Sequence, residues 1–378
     1  MSKWVTIQLK ELLTLKRGYD LPHSETKSGP YPVVASTNVR GYHNEYKVDG
    51  PVITVGRSGS IGHVQYIESK AWPLNTTLYM TDAKGNNKRF IYYFLKTIGL
   101  EQFNSGAGVP TLNRNHINLL KVKIPKNTIQ TKIADVLSTY DRLIENNNRR
   151  IQILEQTAEE LYKEWFVRMR FPGYEKTKFD KGIPEGWEVR RVKDLGEVIT
   201  GKTPPTNDEE NYGGEVMFVK TPDMNGNLFT IETESYLSNK GNDSQPKKLI
   251  PEGSIMVSCI GTGGVVSING YPAHTNQQIN SIILNKSLER EWAYFTLRSM
   301  KGTIELFGAT GATMTNLSKG KFEDLKILYP INDLVLRYHT LTKGIFSKIK
   351  NLNIQNQNLK KQRDLLLPRL MNGTITVK

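Results

Sequence analysis

Several short stretches of this 378-residue chain hold residue types that could do chemistry. "GRSGSIGH" (56–63) has the glycines of a phosphate cradle. It lacks the Gly-Lys-Ser/Thr ending of a P-loop and no helix signal follows, so it reads as tight turns presenting Arg57, Ser58 and Ser60 as donors. "FVKTPDM" (218–224) with "DLK" (324–326) imitates the Pro-Asp and Asp-x-Lys pieces of a nuclease site. Roughly a hundred residues separate them, and the repeat counterpart of Asp324 is Leu119, so the match reads as chance. Six histidines have no metal-ligand spacing, Cys259 is the sole cysteine, and no serine or cysteine nucleophile pattern occurs. Catalysis has no credible seat; binding does. "VVASTNVRGYHNEY" (33–46), "PLNTTLY" (73–79) and "GVPTLNRN" (108–115) set polar side chains between apolar anchors. So do "TGKTPPTN", "VKTPDMNGN", "IGTGG", "HTNQQINS" and "GATMTNLSK" in the second half. Asn and Gln can read adenine edges, Arg and Lys guanine, and Ser and Thr either a base or a phosphate. The candidate contacts are Asn38, Arg40, Arg57, Ser58, Ser60, Asn75, Thr76, Asn113 and Arg114 in the first half. In the second they are Lys202, Thr203, Lys220, Thr221, Asn225, Thr262, Asn276, Gln277, Gln278, Asn316 and Lys319.

Charge supports a polyanionic partner. The net charge is +14 and the pI about 9.5. Residues 1–126 balance to +9, 127–171 to 0, 172–330 to −2 and 331–378 to +7. If the third segment binds DNA, its acids must face away from the phosphates. A mean hydropathy of −0.46 and the lack of a long apolar run argue against a membrane span, and no signal-peptide pattern is present. The expectation is a cytoplasmic protein without a structural metal.

The elements that must position these clusters come in duplicate. "WVTIQLKELLTLKRG" (4–18) recurs as "WEVRRVKDLGEVITG" (187–201) at an offset of 183. "DGPVITVGRSGSIG" matches "EGSIMVSCIGTGG" at 202, aligning Gly59 and Gly62 with Gly261 and Gly264. "GAGVPTLNRNHINLLKVKIP" (106–125) matches "GATMTNLSKGKFEDLKILYP" (311–330) at 205, aligning Gly106 with Gly311 and Pro125 with Pro330. The period is too long for a solenoid and implies a duplicated globular unit. "PVITVG", "SIMVSCIG", "LKVKIP" and "LKILYP" read as strands. "KELLTLKRG", "RFIYYFLKTIGL", "KDLGEVITG" and "REWAYFTLRSM" have helical spacing. The class is α+β. The boundaries are a first globular domain at 1–126, a long helix at 127–171, a second domain at 172–330 and a second long helix at 331–378.

Both long helices carry a coiled-coil seam. In the first it runs Ile133, Leu137, Tyr140, Ile144, Asn147, Ile151, Leu154, Ala158, Leu161 and Trp165. The offset of 205 carries it to Tyr338, Thr342, Ile345, Ile349, Leu352, Asn356, Leu359, Arg363, Leu366 and Leu370. Pairing the helices antiparallel with Asn147 opposite Asn356 sets Ile144 against Leu359 and Ile151 against Leu352. A heptad slip would bury each amide against an aliphatic, aromatic or charged side chain. An amide facing an aliphatic chain loses roughly 1–3 kcal/mol, so the Asn147–Asn356 pair is expected to fix register, with Asn146 and Asn148 on or near the solvated side. Helices of this length make a rod of about 50–60 Å. Such a rod would hold two globular domains, related by a pseudo-two-fold axis, at separate places along a duplex.

The pattern resembles the specificity (S) subunit of type I restriction-modification systems. The likeness lies in the duplicated layout, "YPVVASTNVRGYHNEY…VDGPVITVGRSGSIG" and "VKTPDM…KKLIPEGSIMVSCIGTGG…TNQQINSI". The helical "IADVLSTYDRLIENNNRRIQILEQTAEELYKEWF" and "LKKQRDLLLPRLMNGTI" add to it, and it covers nearly the whole chain. The resemblance implies two target-recognition domains, each reading half of a bipartite double-stranded DNA site, with the gap set by the helices. It implies no catalytic residues in this chain. Two modification (M) subunits would methylate adenine with S-adenosylmethionine, and restriction (R) subunits, using ATP and Mg²⁺, would bind through them. The −2 balance of 172–330 departs from a basic reading surface. Two alternatives stay open: a recognition subunit whose single partner carries both cleavage and methylation, and a coiled-coil adaptor with two protein-binding heads.

Overall fold

The computed structural model describes residues 4–106, 108–309 and 315–377; Gly311 and the 311–314 portion of the last polar cluster lie outside the described residues. The chain forms two compact units, 1–144 with 358–378, and 145–357. Each boundary falls inside a long helix, Asn127–Tyr162 or Asn332–Met371, so each unit contains a stretch of both.

In the first unit, Trp4–Gln8 pairs antiparallel with Lys121–Pro125. A four-stranded antiparallel sheet has the order Thr14–Arg17, Thr77–Asp82, Val52–Gly56, Val64–Ile67. Val52–Gly56 is buried throughout, as expected of a β-branched run that ends at glycine. A smaller sheet joins Val39–His43 to Tyr31–Val34, and Tyr31–Val34 runs parallel to Trp72–Pro73. The helix Lys88–Leu95 buries Phe90, Ile91, Tyr93, Phe94 and Leu95, and Asn87 caps it by accepting from the Phe90 N–H at 3.0 Å. Pro125 then ends the strand, and buried Gln130 locks the corner. Its amide donates to the Pro125 carbonyl (3.0 Å) and the Asn86 side chain (2.8 Å).

The second unit repeats this plan. Glu188–Arg191 pairs with Lys326–Tyr329, and Val5↔Ile124 becomes Glu188↔Tyr329. The offsets of 183 and 205 therefore carry the ladder across residue for residue. Gly196–Thr200, Ile279–Leu284, Ile255–Ser258 and Val266–Asn269 repeat the four-stranded order, with Phe229–Thr230 added at the edge. The small sheet also returns, from Ser235–Leu237, Tyr212–Val219 and Ala273–Thr275. Gly59, Gly62, Gly261 and Gly264 all have φ between +76° and +81°. A side chain at Gly62 would meet the Glu101 backbone at 2.6 Å, and one at Gly264 the Lys301 Cα at 2.8 Å. The tight turns are thus required twice.

Two helical expectations are corrected. "KELLTLKRG" forms only the turn Leu9–Leu12 and then the strand Thr14–Arg17. "KDLGEVITG" forms a 3-10 turn, Val192–Leu195, and then the strand Gly196–Thr200. The apolar spacing is satisfied within one turn, after which pairing to a distant strand prevails.

Within the second unit the helices run antiparallel: Asn147 meets Asn356, while Tyr338 Oη donates to the Ala158 carbonyl at 2.9 Å. Within the first unit, Arg363 meets Asp141 at 2.6 Å, and Ile133, Leu137, Leu367 and Leu370 share one core. The seam differs from expectation at three places. Arg363 leaves its apolar partners for Asp141. Leu367 is buried where Leu366 is only partly so, and Tyr162 is buried where Leu161 is only partly so. A π-helical turn at Lys163–Val167 shifts the phase beyond Tyr162, placing Trp165 and Phe166 in the core with Trp187.

Candidate nucleic-acid interface and the helix pair

The first unit gathers its polar loops around a cleft of about 570 Å³. The turn after Val52–Gly56 supplies Arg57, whose N–H and that of Ser58 donate to the Thr76 carbonyl at 2.8 and 3.1 Å. The 108–115 segment is stitched to the same place, with Leu112 N–H donating to the Arg57 carbonyl at 2.8 Å. Ser36 Oγ sits beneath and bonds the carbonyls of both Ser58 and Thr76 at 2.9 Å. Of the expected residues, Arg57, Asn113 and Arg114 line the cleft. Ser58, Asn75 and Thr76 adjoin Arg57, but Asn38, Arg40 and Ser60 have no side-chain hydrogen bond to it among the described residues. Sequence reasoning missed Lys16, Arg17 and Asp20 on the same wall. Asp20 accepts from the Asn75 amide and lies 3.7 Å from Arg17. The repeat held the signal, since the offset of 183 aligns Tyr19 and Asp20 with Lys202 and Thr203.

The second unit brings a chain of hydroxyls and amides together. Thr203 donates to Gln277 Oε1 at 2.6 Å. Gln278 Oε1 accepts from Asn276 Nδ2 at 3.2 Å and from Thr221 Oγ1 at 3.4 Å. Lys220 is tied to Ser235 Oγ at 2.8 Å. Asn316 belongs to the strand that pairs with Ile260–Gly261, next to Thr262, whose carbonyl accepts from Ser258 Oγ at 2.6 Å. Asn225 stands apart on an exposed turn, and Lys319 is paired with Glu323 at 3.5 Å. None of the twenty expected residues is buried. Cys259, beside this surface, is buried, and burial pushes its thiol up to about 11, where it is inert.

The acids of this unit are partly neutralised by their own neighbours. Asp208 and Glu210 pair with Lys240, and Asp324 pairs with Arg191 and Lys193. Among the described residues, no group of three or more His, Cys, Asp or Glu is placed to hold a metal. No described helix is long and apolar enough to cross a membrane.

On the helices, Asn147 Nδ2 donates to Asn356 Oδ1 at 3.0 Å, and both amides are buried. Asn356 Nδ2 donates in turn to Asn148 Oδ1 at 2.7 Å. Asn148 is exposed but belongs to the interaction, whereas Asn146 lies at the surface.

A family model described as the type I restriction modification DNA specificity domain matches residues 1–156 and 184–364, once for each copy of the duplicated plan. The chain belongs to this family. Its relatives include the type I restriction enzyme HindI specificity subunit of Haemophilus influenzae, 32% identical over 327 residues, covering 70% of this chain and 71% of that one. The MjaIX specificity subunit of Methanocaldococcus jannaschii is 28% identical over 302 residues, covering 76% and 69%. A crystal structure of a type I S subunit from M. genitalium superposes with a TM-score of 0.63 at 16% identity, over 97% of this chain and 96% of that one, which shows a shared fold. As a specificity subunit, this chain serves DNA recognition in a type I restriction-modification system.

Proposed function

We propose that each unit reads one half of a bipartite double-stranded DNA site and that the helix pair sets the unread gap between the halves. The chain itself would be non-catalytic. It would position two M subunits, which methylate adenine with S-adenosylmethionine, and through them the ATP- and Mg²⁺-dependent R subunits, in the cytoplasm. The observation that carries this reading is the duplication of the polar turn. The same left-handed glycines and the same stitched loop present an exposed polar surface in both units. Phosphate contacts position such a surface and base-edge contacts give it specificity.

The test is to express the chain with its partner methyltransferase and map methylated adenines across a genome. Two short specific halves separated by a fixed gap are expected. One uninterrupted target, or methylation without sequence preference, would overturn the reading. Binding of the complex to random duplex should also weaken steeply with salt; a flat response would favour a protein-binding adaptor.

A further inference from the structure

The duplication permits a position-by-position comparison of the two reading surfaces. Three arginines face or adjoin the first cleft: Arg17, Arg57 and Arg114. Their repeat counterparts are Thr200, Cys259 and Lys319. Thr200 bonds Asn280 at 2.7 Å, Cys259 is buried, and Lys319 is held by Glu323. No guanidinium occupies these places in the second unit.

The free bonding capacity differs accordingly. Arg57 spends one N–H on the Asn75 carbonyl, at a long 3.5 Å, and Arg114 is exposed with no ion pair among the described residues. A guanidinium has only donors, and guanine alone offers two acceptors, O6 and N7, side by side in the major groove. In the second unit Gln277 is exposed. Thr203 occupies one lone pair of its oxygen, leaving the other lone pair and both amide N–H bonds open. One acceptor beside one donor matches the N6 and N7 edge of adenine. Asn276 donates to Gln278 Oε1 and accepts from the Gln278 backbone N–H, both at 3.2 Å, which braces that loop.

We propose that the two units read halves of different base content: the first unit reads guanine through Arg57 and Arg114, and the second reads adenine through Gln277. This rests on the DNA-reading role proposed above.

The experiment uses the complex with its partner methyltransferase. Methylome mapping of Arg57→Ala, Arg114→Ala and Gln277→Ala assigns each half to a unit. The arginine variants should relax a G·C position in one half only, and Gln277→Ala an A·T position in the other. With the unaltered complex, duplexes carrying 7-deazaguanine in the first unit's half should bind roughly 2- to 150-fold more weakly, from the loss of the N7 half of one bidentate contact. The same loss is expected for 7-deazaadenine in the second unit's half. If a variant fails to fold, the deaza duplexes still decide whether one half depends on guanine N7 and the other on adenine N7, because either base can be placed in each half in turn. Arginine variants that relax an A·T position, or unchanged binding with 7-deazaguanine in both halves, would overturn the proposal. Methylation without any sequence preference would instead sink the underlying DNA-reading role.

Discussion

Asn356 makes two amide bonds, accepting from Asn147 and donating to Asn148. Replacing it with leucine leaves a buried amide facing a methyl group, so Asn356→Leu should lower unfolding free energy by about 1–3 kcal/mol. Asn148→Ala should cost about 1 kcal/mol or less, because water can replace its bond. Asn146→Ala should be neutral or slightly stabilising, by about 0.5 kcal/mol, through helix propensity. Urea unfolding of the three variants checks the order; equal effects would mean the trio has no interior member. A second prediction concerns His274, fully buried in the small sheet, with Nε2 3.0 Å from Asn242 Oδ1. Burial lowers its pKa below the ordinary histidine value. The unfolded chain therefore takes up that proton first as pH falls. Stability is retained above the ordinary value and declines below it, by at most about 1.4 kcal/mol per pH unit. His274→Gln should remove this component from the difference in denaturation midpoint between pH 7.5 and 5.

At the scale of elements, the half-buried pair Arg363–Asp141 joins the two helices inside the first unit, and Tyr93 Oη also donates to Asp141. Arg363→Met should destabilise that unit by about 1–3 kcal/mol, and Asp141→Leu combined with it should cost less than the two single changes added. A double-mutant cycle by denaturation measures the difference. These elements also show what the sequence made legible. The ladder Trp4–Gln8 with Lys121–Pro125 and its copy follow the repeat offsets, and the buried runs at Val52–Gly56 and Ile255–Ser258 follow β-branching. Lys16 and Arg17 had no local signal. They reach the cleft because Thr14–Arg17 pairs with Thr77–Asp82, a contact some sixty residues away in sequence that no short-range spacing encodes. Asn148 was placed on or near the solvated side, and it is exposed; its bond to Asn356 escaped because a seam assigns one residue per turn, whereas the amide on the facing helix also reaches the adjacent position.

For the whole molecule, the proposed ruler predicts that inserting one heptad into each helix, symmetrically about Asn147 and Asn356, lengthens the unread gap. Both half-sites should stay unchanged in the methylome. Changed half-sites with a constant gap would reject the ruler. The edge ladder that opens and closes each globular part has a separate consequence. In each copy the strand entering the globular part lies beside the strand leaving it for a helix, in the same register. Both covalent connections of the interval between those strands therefore lie at one place, while side chains within it, such as Tyr93 on Asp141 and Thr296 on Tyr162, also fasten it to the helices. A gene that exchanged that interval for a relative's would make both joins at one point of the fold, altering what is read while the helices stay seated, provided the incoming segment keeps helix-facing partners such as Tyr93 and Thr296.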